Sequence, residues 1–158
     1  MPRPDVVFYV LASESAAERQ VFACRLIEKL YRDGQFCYVL ADDSAQAAEI
    51  DKALWTFRAG SFVPHQVFQG QVPAFRNTVL IGGDPVPEGW EGVIVNLSGA
   101  LAPLSRATRH IIEILDAGAA SKQAGRNRFR HYQESGIAIT THVHNGHGWV
   151  ESRRPAQN

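Results

Sequence analysis

A three-layer α/β/α domain on a mostly parallel or mixed sheet is the fold this sequence predicts, and three observations carry the prediction. Asp5–Leu11 (DVVFYVL) and Gln35–Ala41 (QFCYVLA) are continuous runs rich in β-branched and aromatic residues, the pattern of strands covered on both faces. Each is followed by a stretch with apolar residues every three or four positions, the period of an amphipathic helix. The resulting β-α-β-α order requires parallel strands joined by right-handed crossovers. At 158 residues the chain has the size of one domain. Folding at that size buries roughly 70% of the unfolded surface, enough for one core without disulfides or metal. A hydrophobic content of 45% and a charged content of 20% exclude disordered, collagenous and fibrous classes.

The elements follow in order. Ser15 opens the first helix with Glu18 three residues on, a capping-box signature. Val21, Cys24, Ile27 and Leu30 with Tyr31 supply its apolar stripe, and Gly34 stops it. Asp42-Asp43-Ser44 caps a second helix with Ala47, Ile50, Leu54 and Phe57 on one side. From Gly60 to Asn77, Gly and Pro punctuate a long connection without helical period. Thr78–Ile81 reads as a short strand ended by a Gly82-Gly83-Asp84-Pro85 turn, and Gly92–Leu97 (GVIVNL) as another. Pro103 is expected to begin a helix carrying Leu104, Ile111 and Leu115, with Ala107 beside them and Gly118 closing it. A further helix is expected over Ala120–Ser135, stopped by Gly136, and Ile137–Val143 (IAITTHV) is the last strand. One domain therefore spans residues 1–143, and residues 144–158 read as a polar, aperiodic, flexible C-terminal tail.

The two cysteines, Cys24 and Cys37, form no CxxC and sit within apolar patterns, which suits buried, reduced thiols of a cytoplasmic protein. The apolar run Val6–Ala12 is a first strand rather than a signal peptide, and no run reaches the 18 or more residues of a membrane span. A soluble, intracellular protein without a membrane partner is expected.

A Rossmann-like order directs attention to the first strand-to-helix turn, Leu11–Glu18. It contains no glycine, so neither GxGxxG nor GxxxxGK[ST] is available to cradle a phosphate, and Glu14 and Glu18 would repel one. The fold is thus Rossmann-like without a phosphate-binding loop. His142-x-His144-x-x-His147 lacks a carboxylate or cysteine among its histidines and reads as an exposed cluster rather than a metal site. No GxSxG elbow exists, and neither His65 nor His110 has a nucleophilic partner in the sequence. No catalytic residues, cofactor or metal are assigned; the chain reads as a binding protein. The alternative is a small α/β enzyme acting on a nucleotide or phosphate ester.

Formal net charge is zero, from 16 basic and 16 acidic residues, which argues against a dedicated nucleic-acid binder. The distribution is uneven. Residues 1–100 carry 8 Lys/Arg against 12 Asp/Glu, and residues 101–158 carry 8 against 4. Four cations (Lys122, Arg126, Arg128, Arg130) lie between Gly118 and Gln133 with no acid among them. On a helical wheel Lys122, Arg126, Phe129, Arg130 and Gln133 fall within an arc of roughly 100°. Gly125 and Tyr132 lie beside it, toward the buried side. Such a face suits single-stranded nucleic acid, through phosphate neutralisation and stacking on Phe129. It equally suits an acidic peptide with an apolar anchor or a free C-terminal carboxylate. A third reading puts Phe129 in the core and leaves the cations solvated. One aromatic and a short basic patch lean toward the peptide, because a strand-tracking groove usually presents several stacking platforms.

Two segments, Asp51–His65 (DKALWTFRAGSFVPH) and Lys122–Gly136 (KQAGRNRFRHYQESG), resemble the chi subunit family of bacterial DNA polymerase III. The order of elements agrees over about residues 5–140, including the Phe8-Tyr9 strand and the first helix with Cys24. The resemblance implies a non-catalytic subunit that links the clamp-loader complex, through a psi-like subunit, to the acidic C-terminal tail of single-stranded-DNA-binding protein. That tail ends in an acidic run, Pro-Phe and a free carboxylate, so DNA would be contacted only indirectly. By the same resemblance Lys122, Arg126, Phe129 and Arg130 are the tail-binding residues, and Trp55 and Phe62 contact the psi-like partner, a surface a repair helicase would also fit. Arg at 130, Phe without a hydroxyl at 129 and the helix-interrupting Gly125 depart from the family pattern and leave the charge pattern intact. From residue pattern alone Trp55 and Phe62 are compatible with an exposed apolar patch and with satellite core beneath the loop.

Overall fold

The central strands of this chain form where apolar residues occupy both faces, its helices where they occupy one. A computed structural model describes residues 4–71, 73, 78–83 and 85–156. In chain order the elements are β1 (Asp5–Val10), α1 (Ala16–Arg32), β2 (Cys37–Leu40), α2 (Ser44–Thr56), β3 (His65–Val67), β4 (Val79–Gly82), β5 (Val93–Asn96), β6 (His110–Leu115), α3 (Ala119–Glu134), β7 (Ile139–His144) and β8 (Trp149–Arg154). They form one eight-stranded sheet in the order β3-β4-β2-β5-β6-β1-β7-β8. All its pairings are parallel except β7 with β8.

Alternation along the strands divides the core in two. Cys37, Val39, Val79, Ile81, Val93, Val95, Ile112 and Ile114 pack with Ala23, Cys24 and Ile27 of α1 and Ala47, Ile50 and Leu54 of α2. Val6, Phe8, Tyr38, Leu40, Ile94, Ile111 and Leu115 pack on the other face with Tyr132 of α3. This is the expected α/β/α sandwich with an almost wholly parallel sheet. Burial pushes the Cys24 thiol up to about 11 and the Cys37 thiol up to about 12, so both stay protonated and pack as small hydrophobes.

Local signals work where they are strong. Ser15 Oγ accepts from the Glu18 backbone N–H at 3.1 Å, while the Ser15 N–H donates to Ser13 Oγ at 3.0 Å, so Ser13 takes the arm that Glu18 would supply in a reciprocal box. At α2, Asp43 accepts from the Gln46 N–H at 2.8 Å and Gln46 Oε1 accepts from the Asp42 N–H at 2.6 Å.

Three expectations are corrected. The helix expected from Pro103 is absent: residues 103–109 are irregular and His110–Leu115 is strand β6. A strand buried on both faces is apolar nearly everywhere, so helical spacing matches Leu104, Ile111 and Leu115 by chance, while the β-branched run Ile111, Ile112, Ile114 is the informative signal. Within the Gly60–Asn77 connection, His65–Val67 forms β3 on β4; Val72 and residues 74–77 lie outside the described residues, as does Asp84 of the Gly82–Pro85 turn. The segment read as aperiodic beyond Val143 contains β8, antiparallel to β7. An Asn145-Gly146 turn joins them: Gly146 has φ 94°, and Asn145 Oδ1 accepts from the His147 and Gly148 N–H groups at 2.9 and 3.0 Å. Among the described residues no helix is long and apolar enough to cross a membrane.

Candidate functional site

α3 is held to the sheet by a buried polar network that fixes which of its cations face outward. Glu113, on β6, is fully buried and accepts from Arg128 Nε at 3.1 Å, Tyr132 Oη at 2.7 Å and Asn96 Nδ2 at 2.9 Å. Burial pushes its carboxyl up, opposed by the Arg128 charge and by these hydrogen bonds. Arg128 is thus a core residue. Gly125 lets α3 come close: a Cβ there would collide with Leu115 Cδ1.

With Arg128 turned inward, Lys122, Arg126 and Phe129 line a pocket of about 280 Å³ whose apolar wall is Val10, Leu115 and Val143. Phe129 is half-buried and packs on Phe8, ring centroids 5.6 Å apart, so it is both core and pocket wall. Arg126 and Arg130 are exposed; Arg130 lies one turn beyond Arg126 and outside the pocket lining. The arrangement is a small apolar cup with cations on its rim, suited to an apolar side chain that carries or adjoins negative charge. Arg154, which the sequence reading left without a role, places its guanidinium 6.0 Å from the Phe129 ring centroid. The Asn-Gly turn is the signal that would have revealed its strand.

The second cluster lies near the β3 edge. Trp55 at the end of α2 is 55% exposed and Phe62 is 66% exposed, with ring centroids 6.1 Å apart. They form a surface patch instead of packing beneath the loop. Trp55 also packs on His65 at 4.7 Å, whose ring nitrogens lie 2.6 Å from the Val63 carbonyl and 2.9 Å from the Asp51 carbonyl. Glu28 clamps the loop that carries Phe62, accepting from Arg58 at 2.7 Å and from the Ser61 hydroxyl. Those hydrogen bonds, Ser61 first and then Arg58, hold its carboxyl below the usual glutamate value.

Of the three histidines near the C-terminus, His142 and His144 are engaged in packing, while His147 is exposed in the turn. His142 stacks on Tyr9 at 5.0 Å and lies 4.0 Å from Glu151, and His144 packs edge-on against Trp149. No group of three or more His, Cys, Asp or Glu able to hold a metal ion occurs among the described residues.

Both clusters lie within a stretch shared with known proteins. The model for "DNA polymerase III chi subunit, HolC" matches residues 3–140, a span that includes both. The chain belongs to the DNA polymerase III chi subunit family. Among its relatives, the DNA polymerase III subunit chi of Pseudomonas aeruginosa is 34% identical over 146 residues, covering 90% of this chain and 96% of the relative. That of Escherichia coli is 26% identical over 151 residues, covering 87% and 96%, respectively. Membership in this family agrees with the resemblance drawn from the DKALWTFRAGSFVPH and KQAGRNRFRHYQESG segments.

Proposed function

We propose that this chi-family chain is a non-catalytic, cytoplasmic accessory subunit of the replicative DNA polymerase. It joins the clamp-loader complex, through a psi-like subunit, to the acidic C-terminal tail of single-stranded-DNA-binding protein. Trp55 and Phe62 present the aromatic patch to the psi-like subunit. Lys122, Arg126, Phe129 and Arg130 bind the tail, and DNA is reached only through it. The observation that carries this reading is the pocket that sets Lys122 and Arg126 around an apolar cup walled by Phe129. The tail's terminal Phe would enter the cup, Arg126 would pair with the terminal carboxylate, and the preceding acidic run would follow the remaining cations.

Magnitudes agree with a modest affinity. Burying a Phe side chain contributes roughly 1.5–3 kcal/mol, and a hydrogen bond to a charged group ~1.5–3 kcal/mol. These two terms sum to roughly 3–6 kcal/mol, so micromolar binding, about −8 kcal/mol, requires the acidic run to supply the remainder. The test compares bare oligonucleotide with oligonucleotide coated by single-stranded-DNA-binding protein. Weak binding to the first and clear, salt-sensitive binding to the second is expected, with Arg126→Ala removing most of it without changing the thermal melt. Equal binding to both forms, or unchanged tail-peptide affinity in Arg126→Ala by fluorescence anisotropy, refutes the reading.

A further inference from the structure

We propose that the β7–β8 hairpin forms a second wall of the tail site, in which Arg154 binds the acidic run where it leaves the pocket. The inference rests on the tail-binding reading above and adds to it a residue outside the family-matched span, which ends at residue 140.

Register places this wall. Arg154 pairs with Ile139, Ser152 with Thr141 and Val150 with Val143. Cross-strand partners share a sheet face, and alternate residues along a strand return to it. Ile139 packs in the core beneath α3, and Thr141 and Val143 line the pocket. Arg154, Ser152 and Val150 therefore continue the α3 face outward past β7. Arg153, Glu151 and Trp149 point to the opposite face, where Glu151 meets His142 and Trp149 packs on Phe22. The hairpin thus sorts its charges: its one acid goes to the far side and Arg154 goes to the tail side, over Phe129.

Direction follows from the same geometry. The apolar cup lies by Lys122, Gly125 and Val143, whereas Arg154 reaches Phe129 further along α3. A chain whose terminal side chain fills the cup has Phe129 as its floor as it leaves. Arg126 and Arg130 then stand on the helix side and Arg154 on the strand side. Negative charge upstream of the apolar terminus is what this channel complements.

Fluorescence anisotropy with two synthetic peptides tests this. One carries an acidic run followed by Pro-Phe and a free carboxylate; the other keeps the same end but has Asn and Gln in place of the acids. Arg154→Ala is expected to weaken the acidic peptide about two- to fivefold, the scale of a solvent-exposed ion pair. Arg154→Glu should weaken it more, and Arg154→Lys should retain most of the binding. The difference between wild type and Arg154→Ala should vanish with the neutral-run peptide and shrink as salt is raised. Arg153→Ala, on the opposite face, should bind as wild type. Arg154→Ala binding the acidic peptide as wild type does, or weakening both peptides equally with its melt unchanged, overturns the inference and leaves the tail reading standing. Failure of the wild-type protein to bind either peptide overturns both.

Discussion

The two candidate surfaces differ in almost every physical respect. The α3 site is a shallow cationic pocket built on one helix with a strand wall, and its aromatic ring is half sunk in the core. The patch at Trp55 and Phe62 is aromatic and exposed, and it joins the end of α2 to the loop before β3. They belong to opposite ends of the strand order, β3 at one edge and β7–β8 at the other. Six strand spacings separate β3 from β7, about 30 Å. A cationic cup and an aromatic patch that far apart do not compete for one ligand. Association at the first should weaken with salt, because screening acts on exposed charge. Association at the second should hardly respond, because apolar burial carries it.

The largest effect expected separates fold from function within α3 itself. Arg128→Ala leaves Glu113 buried without its cation, and breaking a buried pair this way costs about 3–5 kcal/mol. Its unfolding midpoint in urea should therefore fall steeply, while Arg126→Ala, two positions earlier, should unfold as wild type and lose the tail. Equal stability of the two variants would break the division of this helix into core and surface cations. Next in size is the aromatic patch. Phe62→Ala should weaken a psi-like partner by about 2 kcal/mol, the scale of an interface hot spot. Calorimetry should give the same loss at low and raised salt, and a loss that disappears with salt would assign the patch an electrostatic role instead.

The smallest effect is a pH dependence of the loop beneath that patch. Glu28 has its carboxyl held below the ordinary value of 4.5, so its contribution to stability is fully present above that value. It is lost as pH falls through the lowered folded value. Glu113, pushed up by burial, has the opposite sign: it binds its proton more readily folded than unfolded. Acid titration of thermal stability in Glu28→Gln against wild type isolates the first group. The variant should lose less stability on acidification, and parallel curves would show that the clamp does not titrate as a unit.

Much of the molecule was legible in its sequence because the relevant signals are local. The Ser15 and Asp43 caps, the stripe of α2, that of α1 apart from Val21, which is exposed, and the two-sided strands at β1, β2 and β5 all lie within a few residues of what defines them. The arc of Lys122, Arg126, Phe129 and Arg130 on α3 was legible for the same reason. Strand β6 was misread as helix because a strand apolar on both faces, with only Glu113 breaking the run after His110, matches helical spacing by chance. β8 was missed because a solvent-exposed strand has no apolar period to display, and only the Asn145-Gly146 turn marked it.

By itself the sequence determined a parallel α/β sandwich lacking a phosphate-binding loop, a helix with cations on one arc, and membership in its family. Those follow from periodicity, glycine placement and motif, which are properties of neighbouring residues. Only the tertiary structure decided that Glu113 draws Arg128 inward and that Trp55 and Phe62 stand out of the core. The same holds for Arg154, brought from the far end of the chain over Phe129. Each depends on pairing or burial between segments remote in the chain, and no local pattern encodes which remote group will arrive.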